Sequence, residues 1–586
     1  MLAALGAFLL CVAFSPDVSS VTFTPKYLAM LLFAGAGVLP IMRLARQSAV
    51  KWAARSAIAF LAVGLVSALV SVAPGIGIFG LFDWGTGWLL WLGAAGAFAI
   101  GATLRGADRD WLFRALIAGA VVNAIVAIWQ VTTVATAAGI GLYGGTQADG
   151  LLGNPIHLES LLLGSTALIL GRACRAPLRW GSLVVLFSVA LEFSAERLAL
   201  PVLAALCLYA VYSYGIRRGG TFSAMVAGGL AIGYLGGGSG LAGRVTGGSS
   251  ESTYGLRLHI WDTGLHYVLH HPLIGAGPGE LRSALDSVGS LSFAQQLLPN
   301  SAVTDGHDMF VEVVVTTGIL GLVCFLGWLG SALRQCPRSG LLGFAAAIAV
   351  VTLVEPLNIA TLPLMFLALG AATCTSPRAD GAASGLTESS LEETSPVRQS
   401  PLGVVIATVA LCAALALGGS MVAGDWAIFS ATHYELGAPY NLARAKLADR
   451  LLPYWPESAE SVSQVLAFQS LAGGVPDLRV IASSRRFIVE AIGRDPADPN
   501  LWAELGNVDR QLGATGQAGV DYMNGYEQYK WSVPALQGLG VVAATEQRWS
   551  DAIRWYRLAL LASVRSPGLT NQLSHLLATA EAGLRA

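Results

Sequence analysis

Long apolar runs separated by short polar segments dominate the first 424 positions of the chain. A run of roughly 16 to 25 apolar residues is long enough to cross the hydrocarbon core of a bilayer as a helix. About thirteen runs fit this description, at residues 2–15, 27–43, 56–73, 84–103, 112–136, 156–171, 178–193, 198–214, 222–238, 309–333, 340–355, 358–374 and 402–424. The pattern predicts an all-α fold that begins with a polytopic transmembrane bundle of about 12–13 spans.

Basic residues lie in every second connection between the predicted spans. They form five clusters, at Arg43, Arg46, Lys51 and Arg55, at Arg105 and Arg109, at Arg172, Arg175 and Arg179, at Arg217 and Arg218, and at Arg334 and Arg338. Cytoplasmic loops carry an excess of Lys and Arg, so these clusters indicate the cytoplasmic side. The loops at 74–83, 137–155 and 239–307 are then predicted to be extracytoplasmic. Arg197 departs from the trend, because it stands at an outer span end.

The pattern also predicts how the chain is divided into domains. The segment 375–400 is rich in Ser, Gly and Glu and has no periodicity, which is typical of a flexible linker. The last 160 or so residues have the composition of a soluble domain. We expect N-terminal transmembrane helices at 1–238, a large extracytoplasmic loop at 239–308, transmembrane helices at 309–374, a cytoplasmic linker at 375–401, a last transmembrane helix at 402–424 and an extracytoplasmic helical repeat domain at 425–586.

An internal period of 34 residues supports the repeat domain. Trp502, Leu505 and Gly506 recur as Leu536, Leu539 and Gly540, Ala518 and Tyr522 recur as Ala552 and Tyr556, and a fainter copy contains Phe468, Leu471, Ala491 and Pro496. This period, with an aromatic residue, Leu-Gly and a later small and aromatic pair, resembles tetratricopeptide repeats. Such repeats stack helical hairpins into a surface that binds peptides or partner helices, so a protein partner is expected here.

Composition agrees with a membrane protein and excludes other classes. Hydrophobic residues make up 54% and charged residues 12% of the chain, about half the usual charged share, and the mean hydropathy is +0.61. The 35 basic and 36 acidic residues give a net charge of −1, so no basic field for nucleic acid is present. The seven cysteines have no paired spacing, which argues against a zinc ribbon or a disulfide scaffold.

Candidate chemistry concentrates in the long extracytoplasmic loop. Five of the eight histidines lie there, at His259, His266, His270, His271 and His307. The segment 256–271 has helical periodicity, with Trp261, Leu265, Val268 and Leu269 on one face and three of the histidines on the other. Histidines at i and i+4 can share a metal ion, but no further ligand pair completes a set. An interfacial helix is therefore favoured and no metal is predicted.

Several charged residues near the outer span ends are further candidates. Arg257 lies on the apolar side of the predicted helix, where it needs an anion, either a ligand or a carboxylate of the protein. His307 is at a membrane–water boundary, where an imidazole can accept a proton from an acceptor hydroxyl. Asn154 and Pro155 have the pattern of a helix start, and a helix N-terminus can also bind an anion. His157 and Glu159 follow inside the predicted span, where ionisable residues are functional candidates.

The order of these motifs resembles the O-antigen ligase/polymerase superfamily. The similar elements are Arg257 and Trp261, the run from His271 to Gly279, His307 with Asp308 and Glu312, Gly318 to Gly321, Gly153 to Pro155, and Arg197. The resemblance covers roughly residues 140–375. The family usually has Asn after the histidine, whereas this chain has Asp308, a carboxylate that would raise the basicity of His307.

The resemblance implies an integral-membrane glycosyltransferase of the bacterial inner membrane that acts in cell-surface polysaccharide assembly. The donor would be a glycan linked to a polyprenyl diphosphate, and the acceptor a hydroxyl of a glycan, lipid or protein on the outer face. Arg197 and Arg257 would stabilise the leaving diphosphate without a metal ion or other cofactor, and His307 would be the base of an inverting displacement. Asn154, Asp308, Glu312 and Trp261 would contact substrate, and for Glu312 the alternatives are that it orients His307 or lies in the helix interior.

Other functions are also compatible with the sequence. Within the superfamily, an O-antigen or exopolysaccharide polymerase and a protein O-oligosaccharyltransferase are alternatives to a ligase. A transporter or flippase would use His157, Glu159, Glu355 and the arginines as a proton or substrate path, although the hydropathy shows no inverted repeat. A scaffold acting only through the repeats would leave the outer arginines and His307 unexplained.

Overall fold

The structure is a computed structural model that describes residues 1–47, 49–133, 147–237, 250–299, 301–373, 401–432, 441–471 and 477–586. Within these residues the chain forms 24 helices and no strand. This confirms the all-α prediction. The linker expected at 375–400 lies outside the described residues.

The first sixteen helices form the apolar bundle and its connections. They are α1 (Leu2–Val12), α2 (Thr24–Gln47), α3 (Lys51–Leu69), α4 (Pro74–Phe79), α5 (Trp88–Thr103), α6 (Ala107–Thr133), α7 (Pro155–Arg175), α8 (Pro177–Ser194), α9 (Ala199–Leu235), α10 (Ser250–His270), α11 (Leu281–Val288), α12 (Leu291–Ala294), α13 (Met309–Leu333), α14 (Gly340–Val351), α15 (Thr361–Thr373) and α16 (Pro401–Thr432). In the described part of the chain, seven helices are long and apolar enough to cross a membrane. The other predicted spans fall on shorter apolar helices or on α7.

Helix α9 contains two predicted spans joined by a sharp turn. Gly215 has φ 81° inside the helix, a conformation that glycine adopts without steric cost. Gly219 lies directly against Val211, although a straight helix would separate them by about 12 Å. The two halves therefore fold back on each other, as expected from the separate apolar runs at 198–214 and 222–238.

Helix α13 is broken by a loop that inserts into it. Gly318 has φ 68° within the helix, and the loop from Pro272 to Gly279 fills the break. Its backbone takes the hydrogen bonds that the helix lacks, because Ala276 N donates to Val315 O at 3.0 Å and Ile319 N donates to Pro272 O at 2.8 Å. Irregular backbone inside a membrane protein is tolerated only where its polar groups are paired in this way.

The C-terminal helices form antiparallel pairs. They are α17 (Leu442–Leu451), α18 (Pro456–Leu471), α19 (Leu478–Arg494), α20 (Pro499–Gln511), α21 (Thr515–Gln528), α22 (Val533–Thr545), α23 (Trp549–Ala562) and α24 (Pro567–Arg585). The bounds of α20 and α21 recur in α22 and α23 with a shift of 34 residues. Within each pair, Gly506 and Gly540 receive the rings of Tyr522 and Tyr556. The predicted helical repeat is therefore confirmed for these two copies.

The prediction of a third, fainter copy of the repeat is only partly correct. Helices α18 and α19 do pair, but α18 begins at Pro456 instead of keeping the 34-residue spacing. Phe468 and Leu471 are 47% and 59% exposed, so they do not form the core of a repeat. Helix α16 also continues to Thr432, beyond the boundary expected at 424.

The repeat region packs against two connections of the bundle. Trp455 Nε1 donates to Gly80 O at 2.7 Å, just after α4, and Phe79 stacks on Tyr454 with ring centroids 4.1 Å apart. Arg282 of α11 forms ion pairs with Asp495 and Asp498 of the repeats. The repeat region, the connection after α4 and the connection between α10 and α13 therefore lie at the same end of the molecule.

Candidate functional site

Arg257 is the central cation of the candidate site. It lies on α10, and its Nη2 donates to Glu355 Oε2 at 2.7 Å. Both side chains are nearly buried, with 11% and 7% of their surface exposed. Glu355 is in the connection between α14 and α15. A carboxylate of the protein therefore contacts Arg257, as one of the two sequence interpretations expected.

Two further carboxylates lie close to this ion pair. Glu159 on α7 is fully buried and interacts electrostatically with Glu196, Glu355 and Arg257. Glu196, between α8 and α9, accepts a hydrogen bond from Gln147 Nε2 at 2.8 Å. The fold therefore brings the first turns of α7 and the α8–α9 connection, both far from Arg257 and Glu355 in sequence, to the ion pair.

His307 occupies a constrained loop immediately before α13. Its backbone has φ 47°, a left-handed conformation that is uncommon for residues other than glycine. The backbone N–H of His307 donates to Asp305 Oδ1 at 3.0 Å, and its Nδ1 lies 3.5 Å from the same oxygen. Burial lowers the pKa of the imidazole below its ordinary value, the Asp305 carboxylate opposes this shift, and the nearby Arg257 cation adds to it. The ring is therefore mainly neutral at pH 7 and able to accept a proton.

The buried Glu312 and the partly buried Trp261 hold the residue before His307 from both sides. The Gly306 N–H donates to Glu312 Oε2 at 2.8 Å, and the Trp261 Nε1–H donates to Gly306 O at 3.0 Å. Glu312 is on α13 and Trp261 is on α10, one turn after Arg257. These two predicted substrate contacts thus have an observed role in positioning the His307 loop.

Asp308 has a different role from the one expected. Its Oδ1 accepts hydrogen bonds from the N–H groups of Phe310 at 2.7 Å and Val311 at 2.8 Å, which makes it the N-cap of α13. The carboxylate that acts on the His307 ring is Asp305, two residues before the histidine. Sequence reasoning attributed this effect to Asp308, because adjacency in the chain does not reveal the direction of a side chain at a helix start.

Arg197 lies in the short turn between α8 and α9. The turn is opened by Ala195, which has φ 56°. Among the described residues, the Nε of Arg197 is buried and has no hydrogen-bond partner. A buried guanidinium nitrogen in this condition requires an acceptor, which suits an anionic ligand. Its neighbour Glu196 interacts electrostatically with Glu355, so Arg197 adjoins the site.

Asn154 caps α7, as its sequence pattern predicted. Its Oδ1 accepts a hydrogen bond from Ile156 N at 2.9 Å. His157, in the next turn, is buried, and its Nδ1 lies 2.9 Å from the Nδ2 of Asn358. Asn358 in turn accepts from Ala360 N at 2.7 Å. This chain of contacts fastens α7 to the connection that carries Glu355, and the substrate-binding role of Asn154 stays a prediction.

The helix with the predicted histidine face has a different buried side. In α10, Ile260, Gly264 and Val268 are buried, whereas Leu265 and Leu269 are 51% and 78% exposed. These two leucines therefore face away from the protein, and the interfacial helix stays a prediction. In the described part of the chain, no group of three or more His, Cys, Asp or Glu side chains could hold a metal ion.

The site residues that sequence reasoning missed are Asp305 as the partner of His307 and Asn358 as the partner of His157. Glu355 was noted only for a transport path. Each of these residues lies in a connection without periodicity, so nothing in the local pattern marks it. An acidic residue two positions before a histidine was the one available signal, and it is weak.

One family model matches part of the chain. Residues 182–326 match the family model described as O-antigen ligase, which is about a quarter of the chain. The match includes Arg197, Arg257, Trp261, His307, Asp308 and Glu312. It ends before Glu355 and begins after Asn154. No curated protein matches the chain.

The solved structures that match include one with weak overall similarity. The crystal structure of the APC/C hetero-tetramer Cut9-Hcn1 aligns with 84% of this chain and 76% of its own, at 13% sequence identity and a TM-score of 0.23. A likeness of this size carries no argument about the fold or the function.

Proposed function

Because an O-antigen ligase domain covers residues 182–326 of a chain with seven span-capable helices in its described part, we propose that the protein is a membrane glycosyltransferase. It transfers a glycan from a polyprenyl diphosphate carrier to an acceptor hydroxyl at the outer face of the bacterial inner membrane. The donor is a lipid-linked glycan, and the acceptor is a glycan, a lipid or a protein.

One observation supports this proposal above the others. The Arg257 cation, fixed by Glu355 at 2.7 Å, lies one helical turn before Trp261, whose Nε1–H donates to the carbonyl of Gly306 beside His307 at 3.0 Å. Glycosyl transfer from a diphosphate needs these two groups close together. The cation stabilises the charge on the leaving group, and the neutral imidazole accepts the proton of the attacking hydroxyl.

The proposed step is a single displacement. The acceptor oxygen forms a bond to the anomeric carbon while the bond from that carbon to the diphosphate oxygen breaks. The hydroxyl proton passes to His307, and the electron pair leaves with the diphosphate. Because attack and departure occur on opposite faces of the carbon, the product has inverted configuration.

Two arginines would share the stabilisation of the leaving group. Arg257 supplies a buried positive charge. Arg197 supplies a guanidinium whose buried Nε has no partner among the described residues. Guanidinium groups bind phosphate oxygens through planar, charge-assisted hydrogen bonds. The proposal therefore requires no metal ion.

The decisive experiment measures glycan transfer by the full-length protein in vesicles that contain a polyprenyl diphosphate-linked glycan. Removing the base or a charge-stabilising donor is expected to reduce transfer by about 10²–10⁴-fold. The variants are His307→Ala, Arg197→Gln, and Arg257→Gln combined with Glu355→Gln. The double change removes the Arg257 charge together with that of its ion-pair partner, and the thermal midpoint of each variant, measured in parallel, separates loss of transfer from loss of folding.

Matched controls remove the same kinds of side chain from the surface. His266→Ala and Arg217→Gln alter exposed residues and should retain wild-type transfer. Full transfer by all three site variants would refute the proposal. A wild type that moves the intact lipid-linked glycan across the bilayer without transferring it would indicate a flippase instead.

The choice of acceptor in the same assay distinguishes the alternatives within the superfamily. Transfer to a saccharide-bearing lipid indicates a ligase, which is the activity we propose. Transfer to a second donor glycan indicates a polymerase, and transfer to a peptide hydroxyl indicates protein glycosylation.

A further inference from the structure

A second group of arginines lies at the opposite end of the bundle from His307. Arg109, Arg172, Arg175 and Arg338 line the inner end of a lateral groove with a volume of about 850 Å³. On α7, Arg172 follows the cap residue Asn154 by 18 positions, which places it about 27 Å further along the helix axis. We propose that this arginine cluster binds the phosphate headgroup of an anionic phospholipid, whose acyl chains occupy the groove.

The first argument is charge. These four arginines come from three basic clusters that are far apart in sequence, and the fold brings them to one cavity. Within the described residues, none of them forms an ion pair with a carboxylate, and Asp110 is the one acid among the residues that line the groove. Four cations facing a single carboxylate leave an excess of positive charge, which a phosphate group would neutralise.

The second argument is the way in which these guanidinium groups are held. The Arg172 guanidinium carbon lies 3.5 Å from the ring centroid of Phe113 and 5.4 Å from that of Trp180, so aromatic rings fix its plane. Arg109 Nε donates to Leu104 O at 3.1 Å. Among the described residues, Arg109 Nη2 is buried and lacks a hydrogen-bond partner. A buried donor without an acceptor points to a ligand that completes the site.

The third argument identifies the ligand as a lipid. Away from the arginines, the groove is walled by apolar side chains of α9 and α14, including Pro201, Val202, Ala205 and Val350. A free inorganic anion has no apolar surface to bury against these side chains. An acyl chain would remove its apolar surface from water by packing there. The arginines are at the end remote from Arg197 and Arg257. The headgroup therefore belongs to a lipid of the opposite leaflet and not to the glycan donor, so this inference does not depend on the proposed transfer reaction.

The test uses the purified full-length protein in detergent micelles with added phosphatidylglycerol, and phosphatidylcholine as the zwitterionic comparison. Lipid retention is counted by native mass spectrometry, and the thermal midpoint is followed in parallel. We expect phosphatidylglycerol to bind and to raise the midpoint. Each arginine near an anionic headgroup contributes about 1 kcal/mol, and 1.4 kcal/mol corresponds to a tenfold change in affinity. Arg172→Gln combined with Arg175→Gln should therefore weaken this binding about thirtyfold.

The control removes two charges from the same end of the bundle outside the groove. Arg217→Gln combined with Arg218→Gln alters exposed residues and should leave lipid binding unchanged. If the first double variant does not fold, Arg338→Gln replaces it, because Arg338 is exposed and its change should still weaken binding severalfold. Equal weakening in the control, or equal binding of phosphatidylcholine, would overturn the proposal.

Two further measurements separate a phospholipid from other anions. Ala205→Trp should fill the groove and reduce phosphatidylglycerol binding, whereas Ala204→Trp, at an exposed neighbouring position, should not. Unchanged binding by Ala205→Trp would show that the acyl chains lie elsewhere. A midpoint shift that inorganic phosphate reproduces in full, or that only a polyprenyl diphosphate produces, would also contradict the proposal.

Discussion

Replacement of Glu312 distinguishes a positioning role from an acid–base role in the candidate site. Its Oε2 accepts the N–H of Gly306 at 2.8 Å, and its side chain is buried. A hydrogen bond to a charged group contributes about 1.5–3 kcal/mol and one between neutral groups about 0.5–1.5 kcal/mol. Glu312→Gln keeps an acceptor oxygen, so it should cost no more than about 1 kcal/mol and reduce transfer by no more than about fivefold.

Glu312→Leu removes the acceptor altogether. It leaves the Gly306 N–H buried and unpaired, at a cost of about 1–3 kcal/mol. Because this N–H holds the loop in which His307 has φ 47°, the lost energy should displace the imidazole and reduce transfer between about 5-fold and 150-fold. Trp261→Phe removes the bond to the Gly306 carbonyl and should fall between the two Glu312 variants.

The assay is the initial rate of glycan transfer in vesicles, measured at saturating donor, with the thermal midpoint of each variant recorded in the same detergent. Inactivity of Glu312→Gln as severe as that of Glu312→Leu would refute the positioning role, because it would show that the charge itself is required. Full activity of Glu312→Leu would show that the Gly306 loop does not depend on this bond.

Three further predictions concern pH and stability. The Asp305 carboxylate raises the pKa of His307 against the effect of burial. Asp305→Asn should therefore lower that pKa and move the acidic limb of the pH–rate profile for transfer to lower pH. An acidic limb that does not move would contradict the contact between Asp305 and His307. Gly318→Ala places a residue with a Cβ at φ 68° and should lower the free energy of unfolding by about 1–3 kcal/mol, measured by thermal unfolding. Gly220 has open space around it, so the control Gly220→Ala should be neutral. Burial raises the pKa of Asp286 to about 7, above an unfolded value of about 3.9, so its stabilising contribution is present below about pH 4 and is lost as the pH rises through 7. Asp286→Asn should therefore raise the thermal midpoint at pH 8 relative to the wild type and leave it nearly unchanged at pH 4, and an equal shift at both values would be inconsistent with this reasoning.

The amino-acid sequence alone determined the class of the fold and much of its order. An apolar run of this length indicates burial in lipid whatever its position in the chain. Each predicted span therefore falls on a helix or on half of α9. The 34-residue period likewise predicted the matched pairs α20–α21 and α22–α23, because the same contacts between a small residue and a tyrosine recur in each. Arg257 and His307 were recognisable as candidates because a charge on an apolar helix face and an imidazole at a span boundary are local features.

The tertiary structure alone decided which groups these residues contact. Glu355 is 98 positions from Arg257, and no short-range pattern connects them. The break in α13 depends on a loop that ends about 40 residues earlier, and the choice of Asp305 over Asp308 depends on a helix cap and a left-handed backbone. Periodicity reports only which side of an element is buried. The partner of a buried charge is set by the packing of distant segments, because each buried charge must find a counter-charge or a hydrogen bond wherever the fold brings one.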